Sequence, residues 1–305
     1  MVTKPEDRRW PRASEWLAAG PGDRPVDLAI LGVPAFATSI STTGAHATPA
    51  AVRRALSRYS TWSASRRIDL ADLLAPWDRG DVEDPDVPVE GEWRVRTAAG
   101  TAAAKSRLLL AIGGDNSLTY PVMGGTFGDD LDRAGLVTLD AHHDLRDGRS
   151  NGTPVRDLID AGLPGERIVQ VGIADWANSR SYATEAHARG VTVIGRSEVA
   201  RRGIEECLHE ALEIAGAGGA GIYVDLDMDV CDRSVAPACP ASLPGGFTAS
   251  EIMQAAFVAG HDPRVRAIDI AEVDATRDAD DERTVRLAAL CVLEVAAGLA
   301  LRADQ

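Results

Sequence analysis

The sequence predicts an α/β fold, in which a mostly parallel β-sheet carries helices on both faces, and a single domain over residues 1–305. Short apolar runs alternate with amphipathic stretches of helical length along nearly the whole chain. Strands that alternate with helices need crossover connections, and these favour a parallel sheet. The chain shows no internal repeat, low-complexity tract or linker, and its hydrophobic content of 45% is enough for a large core.

The predicted strands are apolar or β-branched runs of the length expected for buried strands. In chain order they are 26–34, 108–113, 135–144, 167–173, 191–195, 219–230 and 265–273. The predicted helices have apolar residues at helical spacing and cover 48–60, 91–107, 154–163, 178–190, 203–216, a segment from Thr248, and 281–302. Thr48 followed by Pro49 is a typical helix start. We interpret residues 61–91, rich in Asp and Pro, as an irregular surface excursion.

Charge and composition exclude several classes of partner. The net charge is −14 and no basic stripe is present, so we expect no nucleic acid and no anionic membrane surface as partners. No apolar run reaches the roughly 18 residues of a membrane span, and the N-terminus lacks a signal-peptide core. Four cysteines without a CxxC pair predict reduced thiols in a cytoplasmic protein, although Cys231 and Cys239 flank a short loop and could pair.

The first chemical motif is "DAHHD", residues 140–144. Because side chains alternate along a strand, we expect Asp140, His142 and Asp144 on one face and His143 on the other. Two carboxylates so close repel each other unless a cation neutralises them. The alternative is a capping Asp beside a surface His.

A second motif, "DLDMD", places Asp225, Asp227 and Asp229 on one face of another predicted strand. A polar sheet edge is the alternative, but the flanking residues are apolar. Ligands of parallel strands meet beyond the carboxyl ends of the sheet, so the two motifs predict one site. Carboxylates with one imidazole favour manganese or magnesium over zinc, and two such cations can lower the pKa of a shared water.

Two further positions lie where predicted strands end. Glu272 follows one strand and could bind a cationic substrate group, although a lone carboxylate there is weak evidence. Asp115 and Asn116 follow Gly113 and Gly114 in "GGDNS", where a polar pair either performs chemistry or caps the next helix.

Together these motifs resemble the ureohydrolase family of arginases, agmatinases, guanidino-acid hydrolases and formimidoylglutamases. The resemblance covers most of the chain and follows the family's order: "TGAHATPAAVR" (43–53), "GGDNS" (113–117), "DAHHD" (140–144), "NGTP" (151–154), "DLDMDVCDRSVAP" (225–237), "GGFT" (245–248) and "DIAEVD" (269–274). It implies an arginase-like three-layer α/β/α fold with a central sheet of about eight strands. It also implies a binuclear manganese centre and a homo-oligomer, either a trimer or a hexamer.

The resemblance assigns the metal ligands position by position. It makes Asp140 a bridging ligand and gives His142 and Asp144 to different metals. The distance to Ala236-Pro237 assigns the ligand pair of the second motif to Asp227 and Asp229. Asp225 then stands where the family has Ser, and Glu272 matches the family Glu that binds the guanidinium or amidinium of the substrate.

Two positions depart from the family pattern. Asn116 replaces a His that is normally a ligand of the first metal, and Asn151 replaces the His of an "HGxP" motif. An amide oxygen is a poorer ligand than imidazole, although it suits hard cations, so the first metal site is expected to be weakened. We hypothesise that Asp225 compensates by contacting the first metal or its water.

The second departure bears on the substrate. Asn151 and its flanking sequences look most like formimidoylglutamases, which hydrolyse N-formimidoyl-L-glutamate to L-glutamate and formamide in histidine degradation. Glu272 is expected to orient the reacting carbon and Asp144 to transfer a proton. The two carboxylates of such a substrate require donors, for which we expect Asn151 and a group of arginines on the following loop. These are Arg146, Arg149 and Arg156.

Three alternatives remain at this stage. A guanidino-acid hydrolase or agmatinase would share the chemistry and release urea. A metal-depleted homologue that acts as a binding or regulatory subunit would explain Asn116 and Asn151, although five strong ligands and Glu272 are retained. A deacetylase of related fold fits less well, because the sequence carries ligands for two metals.

Overall fold

The structure, a computed structural model, describes residue 7 and residues 9–303. Part of the N-terminal stretch that predicts no signal peptide therefore lies outside the described residues. The strands are β1 Val26–Val33, β2 Trp62–Ser63, β3 Ile68–Asp69, β4 Pro76–Asp81, β5 Ser106–Gly113, β6 Gly135–Leu139, β7 Ile168–Ile173, β8 Thr192–Gly195, β9 Ile222–Asp227 and β10 Val265–Ala271. The helices are α1 Ala13–Ala19, α2 Thr48–Ala55, α3 Leu70–Leu73, α4 Glu90–Lys105, α5 Thr119–Phe127, α6 Pro154–Asp160, α7 Arg180–Ala188, α8 Arg196–Arg202, α9 Ile204–Ala215, α10 Ala249–His261 and α11 Arg283–Ala300.

Eight strands form one sheet in the order β4-β1-β5-β10-β9-β6-β7-β8. Each neighbouring pair in this sheet is parallel. Strands β2 and β3 pair separately as a short antiparallel ribbon. The arginase-like α/β fold with about eight strands is therefore confirmed, whereas the single domain over 1–305 stays a prediction.

The prediction that residues 61–91 are irregular is wrong. Strand β4 lies within this segment and pairs in parallel with β1 at one edge of the sheet. Its sequence, "PWDRGD", lacks the apolar pattern of a strand, because an edge strand is held by backbone hydrogen bonds along one side and packs little. The segment also holds the ribbon β2–β3 and the one-turn helix α3.

The core is divided by the sheet into two layers. On one face, apolar side chains of the central strands pack against α2, α8, α9, α10 and α11, and on the other they pack against α4, α5, α6 and α7. The core strands are buried on both faces, as expected when helices cover both sides of a parallel sheet. This rigid scaffold fixes the positions at which the strands end.

The structure bears on two predictions from composition, which concern membrane-spanning helices and the state of the cysteines. Within residues 9–303, no helix has both the length and the apolar character needed to cross a membrane. Cys207, Cys231, Cys239 and Cys291 are all buried and free, so Cys231 and Cys239 do not pair.

Candidate metal centre

The polar motifs meet at the carboxyl edge of the sheet. "GGDNS" follows β5, "DAHHD" follows β6, the second half of "DLDMD" follows β9, and Glu272 follows β10. Gly114 permits the chain to leave β5 here, because a side chain at this position would meet the carbonyl oxygen of Ala35 at 2.0 Å. These four strands are neighbours in the sheet, so their terminal loops share one site.

Two groups of side chains at this edge have the geometry of cation sites. Asp140, His142 and Asp229 form one group, and Asp140, Asp144 and Asp227 form the other, each with ligand atoms within 4.8 Å of one another. Asp140 belongs to both groups, which is the arrangement of a carboxylate that bridges two cations. We call them the His group and the Asp group.

A loop conformation, and not the predicted alternation along a strand, brings the side chains of these groups together. Strand β6 ends at Leu139, so "DAHHD" lies on a loop rather than on alternating faces of a strand. Asp144 has a φ of 52°, a left-handed conformation that is uncommon outside glycine. Asp144 belongs to the Asp group, whereas His143 is in neither group and its ring contacts Gln170 of β7.

Like charges dominate the electrostatics of the site without cations. Burial and the charge of Asp229 raise the pKa of Asp140 to about 6. Burial also raises the pKa of Asp144 and Asp227 well above the usual range, with neighbouring carboxylates adding to the effect. Burial lowers the pKa of His142, but Asp229 and Asp140 outweigh this and raise it to about 12. The site therefore needs positive charge.

Divalent cations fit these residues. Oδ2 of Asp140 is buried and has no hydrogen-bond partner within the part of the chain that the structure describes. A buried carboxylate oxygen without a partner costs stability, and cation binding removes that cost. The donors are carboxylate oxygens and one imidazole, which suit manganese or magnesium better than zinc.

This electrostatic balance predicts how metal removal affects stability. Burial and the charge of Asp115 raise the pKa of Glu272 from 4.5 to about 8. Between these values the folded, metal-free protein holds a proton that the unfolded chain has lost, so the free energy of unfolding falls as pH rises. We expect the Tm in EDTA to fall between about pH 5 and 8. MnCl₂ should reduce this fall, and Glu272→Gln should weaken it in EDTA. A Tm that rises with pH in EDTA would contradict the prediction.

Asp225 lies outside both groups. Asp225 precedes Asp227 by two residues on β9 and is paired with Asp269 of β10. Burial and the charge of Asp269 raise the pKa of Asp225 well above the usual range. Asp225 therefore belongs to neither group of side chains, and its contact with the first metal or its water stays a prediction.

Asn116 does reach the Asp group. Its Nδ2 donates to Oδ2 of Asp144 at 2.7 Å, and its Oδ1 lies 2.7 Å from Oγ1 of Thr119. Asp115 accepts from the backbone N–H of Ser117 and so caps the 3₁₀ turn that begins at Asn116. The structure thus separates the polar pair: Asp115 caps, and Asn116 contacts the candidate metal centre.

Glu272 and Asn151 form the opposite wall. Oε1 of Glu272 accepts from the backbone N–H of Asn116 at 2.8 Å and from Nδ2 of Asn151 at 2.7 Å. The backbone N–H of Ile40 donates to Oδ1 of Asn151, which fixes the amide orientation. These bonds use one Glu272 oxygen and leave the other for a cationic group. Glu272 also has a positive φ, 63°.

The candidate metal centre opens into a cavity of about 440 Å³. Of the three predicted arginines, only Arg146 lines it, and its guanidinium has no hydrogen-bond or ion-pair partner among residues 7 and 9–303. Arg149 lies 3.4 Å from Glu92 beside a separate cavity, and Arg156 pairs with Asp147 at 2.7 Å. Of these three arginines, Arg146 is therefore the one beside the candidate metal centre.

The structure adds cavity residues that the sequence did not indicate. His143 is held by Gln170, whose Oε1 lies 2.6 Å from Nδ1 and whose Nε2 donates to the His143 carbonyl. Burial lowers the pKa of His143, so it is neutral at pH 7. Asn178 and Tyr182 come from the loop after β7 and from α7, which no motif connected with the site.

An eight-stranded parallel sheet with two carboxylate-rich groups at its carboxyl edge defines the class of two-metal α/β hydrolases. The sequence model of the Arginase family matches residues 26–298. The chain belongs to the arginase family, which confirms the predicted resemblance.

Individual relatives are consistent with this assignment. The chain is 35% identical to a formimidoylglutamase of Halalkalibacterium halodurans, over 97% of this chain and 94% of that protein. The crystal structure of formimidoylglutamase from Bacillus subtilis matches with a TM-score of 0.90 and 29% identity, over 99% of this chain and 95% of that one. Formiminoglutamase of Trypanosoma cruzi with Mn²⁺ matches with a TM-score of 0.85 and 25% identity, over 96% and 99% of the two chains.

Proposed function

We propose that this protein is a binuclear manganese hydrolase that cleaves N-formimidoyl-L-glutamate to L-glutamate and formamide. The observation that carries the proposal is the cavity itself, which is lined by members of both cation groups, by Glu272 and by Arg146. Its similarity to formimidoylglutamases supports the choice of substrate. Two cations held by the His group and the Asp group would supply a hydroxide nucleophile at neutral pH.

The reaction adds water to the formimidoyl carbon and breaks the bond between that carbon and the glutamate nitrogen. The free oxygen of Glu272 binds the amidinium N–H groups and orients the reacting carbon. The other Glu272 oxygen is held by hydrogen bonds from Asn116 and Asn151. We assign Asp144 the proton transfer from the attacking water to the leaving amine, because it is the ligand adjacent to Asn116 on the Glu272 side. Formamide leaves as a neutral amide, and L-glutamate leaves as the free amino acid.

Arg146 supplies the specificity for a carboxylate in this proposal. Arg146→Ala should raise KM by about 10- to 100-fold with a smaller effect on kcat, because a charged hydrogen bond contributes about 1.5–3 kcal/mol to binding. Arg149→Ala is the matched control on the same loop and should leave KM nearly unchanged. Equal effects of the two variants in steady-state assays would contradict the assignment.

Four finer features complete the proposal. We propose two Mn²⁺ per subunit, a trimeric or hexameric homo-oligomer, a cytoplasmic location and a role in histidine degradation. Exposed apolar side chains support self-association: Val87, Val89 and Trp93 are exposed by 39%, 78% and 64% near the start of α4. The four free, buried thiols agree with a reducing compartment.

Guanidino-acid hydrolysis is the second candidate, because Arg146 would also bind the carboxylate of a guanidino acid. Agmatine fits less well, since its distal amine is cationic. A substrate panel separates these candidates, because formimidoylglutamate gives formamide whereas guanidino compounds give urea. A non-catalytic role would require that the purified protein bind no manganese and turn over none of these substrates.

A further inference from the structure

A buried polar residue interrupts the apolar strand β7. Gln170 lies within "IVQVGI", whose six residues are all buried. A buried amide costs stability unless its donor and its acceptor are both satisfied. Both side-chain partners of Gln170 lie on His143: Nε2 donates to the backbone carbonyl at 2.9 Å, and Oε1 lies 2.6 Å from ring Nδ1. Gln170 is therefore bonded to the loop that follows β6.

The two contacts of Gln170 fix the orientation of His143. A backbone carbonyl can only accept, so the Gln170 nitrogen faces that carbonyl and its oxygen faces the ring. Nδ1 of His143 is therefore a protonated ring nitrogen, and each contact is a hydrogen bond with one donor. Gln170 thus holds both the ring of His143 and the peptide group that joins His143 to Asp144.

A second amide, from the loop after β7, holds the same segment. Oδ1 of Asn178 accepts from the backbone N–H of His143 at 3.0 Å, and its Nδ2 donates to the carbonyl of Ala141 at 2.9 Å. These two groups belong to the peptides on either side of His142, a member of the His group. One side chain therefore spans the backbone of a candidate metal ligand.

The residue that follows His143 shows why this loop needs support. Asp144, a member of the Asp group, has a φ of 52°. This left-handed conformation costs free energy in a residue other than glycine, and it persists only where the surrounding structure holds it. Without cations, repulsion from the carboxylates of Asp140 and Asp227 also acts against this arrangement. The loop 140–144 therefore needs restraint from outside itself.

We propose that Gln170 and Asn178 hold the loop 140–144 in its metal-binding conformation before a cation arrives. Both are positioning residues, because they act through the backbone of the loop and through His143. A loop that is already ordered loses less conformational entropy when the cations bind, so the affinity for them is higher. The inference rests on the proposed manganese site and is independent of the substrate.

The test is MnCl₂ binding by Gln170→Met, which keeps the length of the side chain and removes both hydrogen bonds. Each cation group contains ligands from this loop, so we expect each Mn²⁺ affinity in titration calorimetry to fall about 10-fold or more. Asn178→Ala should lower the affinities in the same way. Asn178 is a partly buried loop residue, so this second variant keeps the core of the protein unchanged.

Thr138→Val is the matched control. Thr138 pairs with Gln170 across the sheet and is fully buried, but its hydroxyl has no hydrogen-bond partner within the described part of the chain. This variant should leave both Mn²⁺ affinities nearly unchanged. The comparison separates the loss of loop contacts from the mere replacement of a polar group in the sheet.

Amide hydrogen exchange of the metal-free protein tests the loop without any cation. The His143 N–H is bonded to Asn178, so we expect this amide to be protected in the wild type and to exchange about 10-fold faster in Gln170→Met and Asn178→Ala. Saturating MnCl₂ should restore the protection in both variants. A purely structural role would lower the Tm without changing the affinities or the exchange of this one loop.

The inference is overturned if Gln170→Met and Asn178→Ala bind Mn²⁺ as tightly as the wild type, or if Thr138→Val weakens binding as much as they do. Wild-type protein that binds no manganese would overturn the proposed function and this inference together. Neither readout uses a substrate, so a wrong substrate would leave the test intact.

Discussion

Asp140→Asn is expected to cause the largest loss of function in the protein. Asp140 is the one carboxylate common to both cation groups, so its neutral amide weakens both sites together. We expect bound manganese to fall below one ion per subunit and kcat/KM to fall by about 10³-fold, because metal polarisation supplies several kcal/mol of transition-state stabilisation. Metal analysis after gel filtration, combined with a steady-state assay, measures both quantities.

The control for this prediction is Asp147→Asn. Asp147 lies on the same loop, is exposed and pairs with Arg156, so its amide should retain both manganese and activity. Asp140→Asn protein that still holds two manganese ions per subunit would show that Asp140 does not bridge the groups.

Glu272→Gln should separate substrate orientation from metal binding. Gln presents the same shape and can still accept the hydrogen bonds from Asn116 and Asn151, but it lacks the charge that binds an amidinium. We expect kcat/KM to fall by about 10²- to 10³-fold with manganese content unchanged, because the lost charged contact also orients the reacting carbon. Kinetics and metal analysis on the same sample provide the measurement.

Glu92→Gln makes the same change beside the neighbouring cavity, near Arg149, and should leave kcat/KM nearly unchanged. Loss of manganese from Glu272→Gln would place Glu272 among the metal ligands. Full activity of that variant would remove Glu272 from the mechanism.

The fold was largely predictable because its signal is local. Apolar runs such as 108–113 are long enough to be buried strands, and the alternation with helices leaves few topologies. Strand β4 was missed because an edge strand needs backbone pairing more than apolar side chains. The predicted strands 135–144 and 219–230 are too long at their ends, because the polar residues beyond Leu139 and Asp227 continue the alternating pattern on a loop and a 3₁₀ turn.

The site was predictable in composition but not in geometry. The family resemblance selected Asp140, His142, Asp144, Asp227 and Asp229, and the structure gathers these five into the two groups. Asn116 and Asp225, also predicted as metal residues, are in neither group. Spacing could not show that the loop conformation, rather than strand alternation, brings them together. It also could not show that only Arg146 of the three arginines lines the cavity, because ion pairs with Glu92 and Asp147 are tertiary contacts.

The most direct test of the proposed function is product analysis of the manganese-loaded protein with N-formimidoyl-L-glutamate, agmatine and guanidinobutyrate as separate substrates. The account predicts formamide and L-glutamate in equal amounts from the first substrate and at most slow urea release from the others. Urea release from a guanidino compound with a kcat/KM above that for formimidoylglutamate, or no product from formimidoylglutamate at full manganese occupancy, would contradict it.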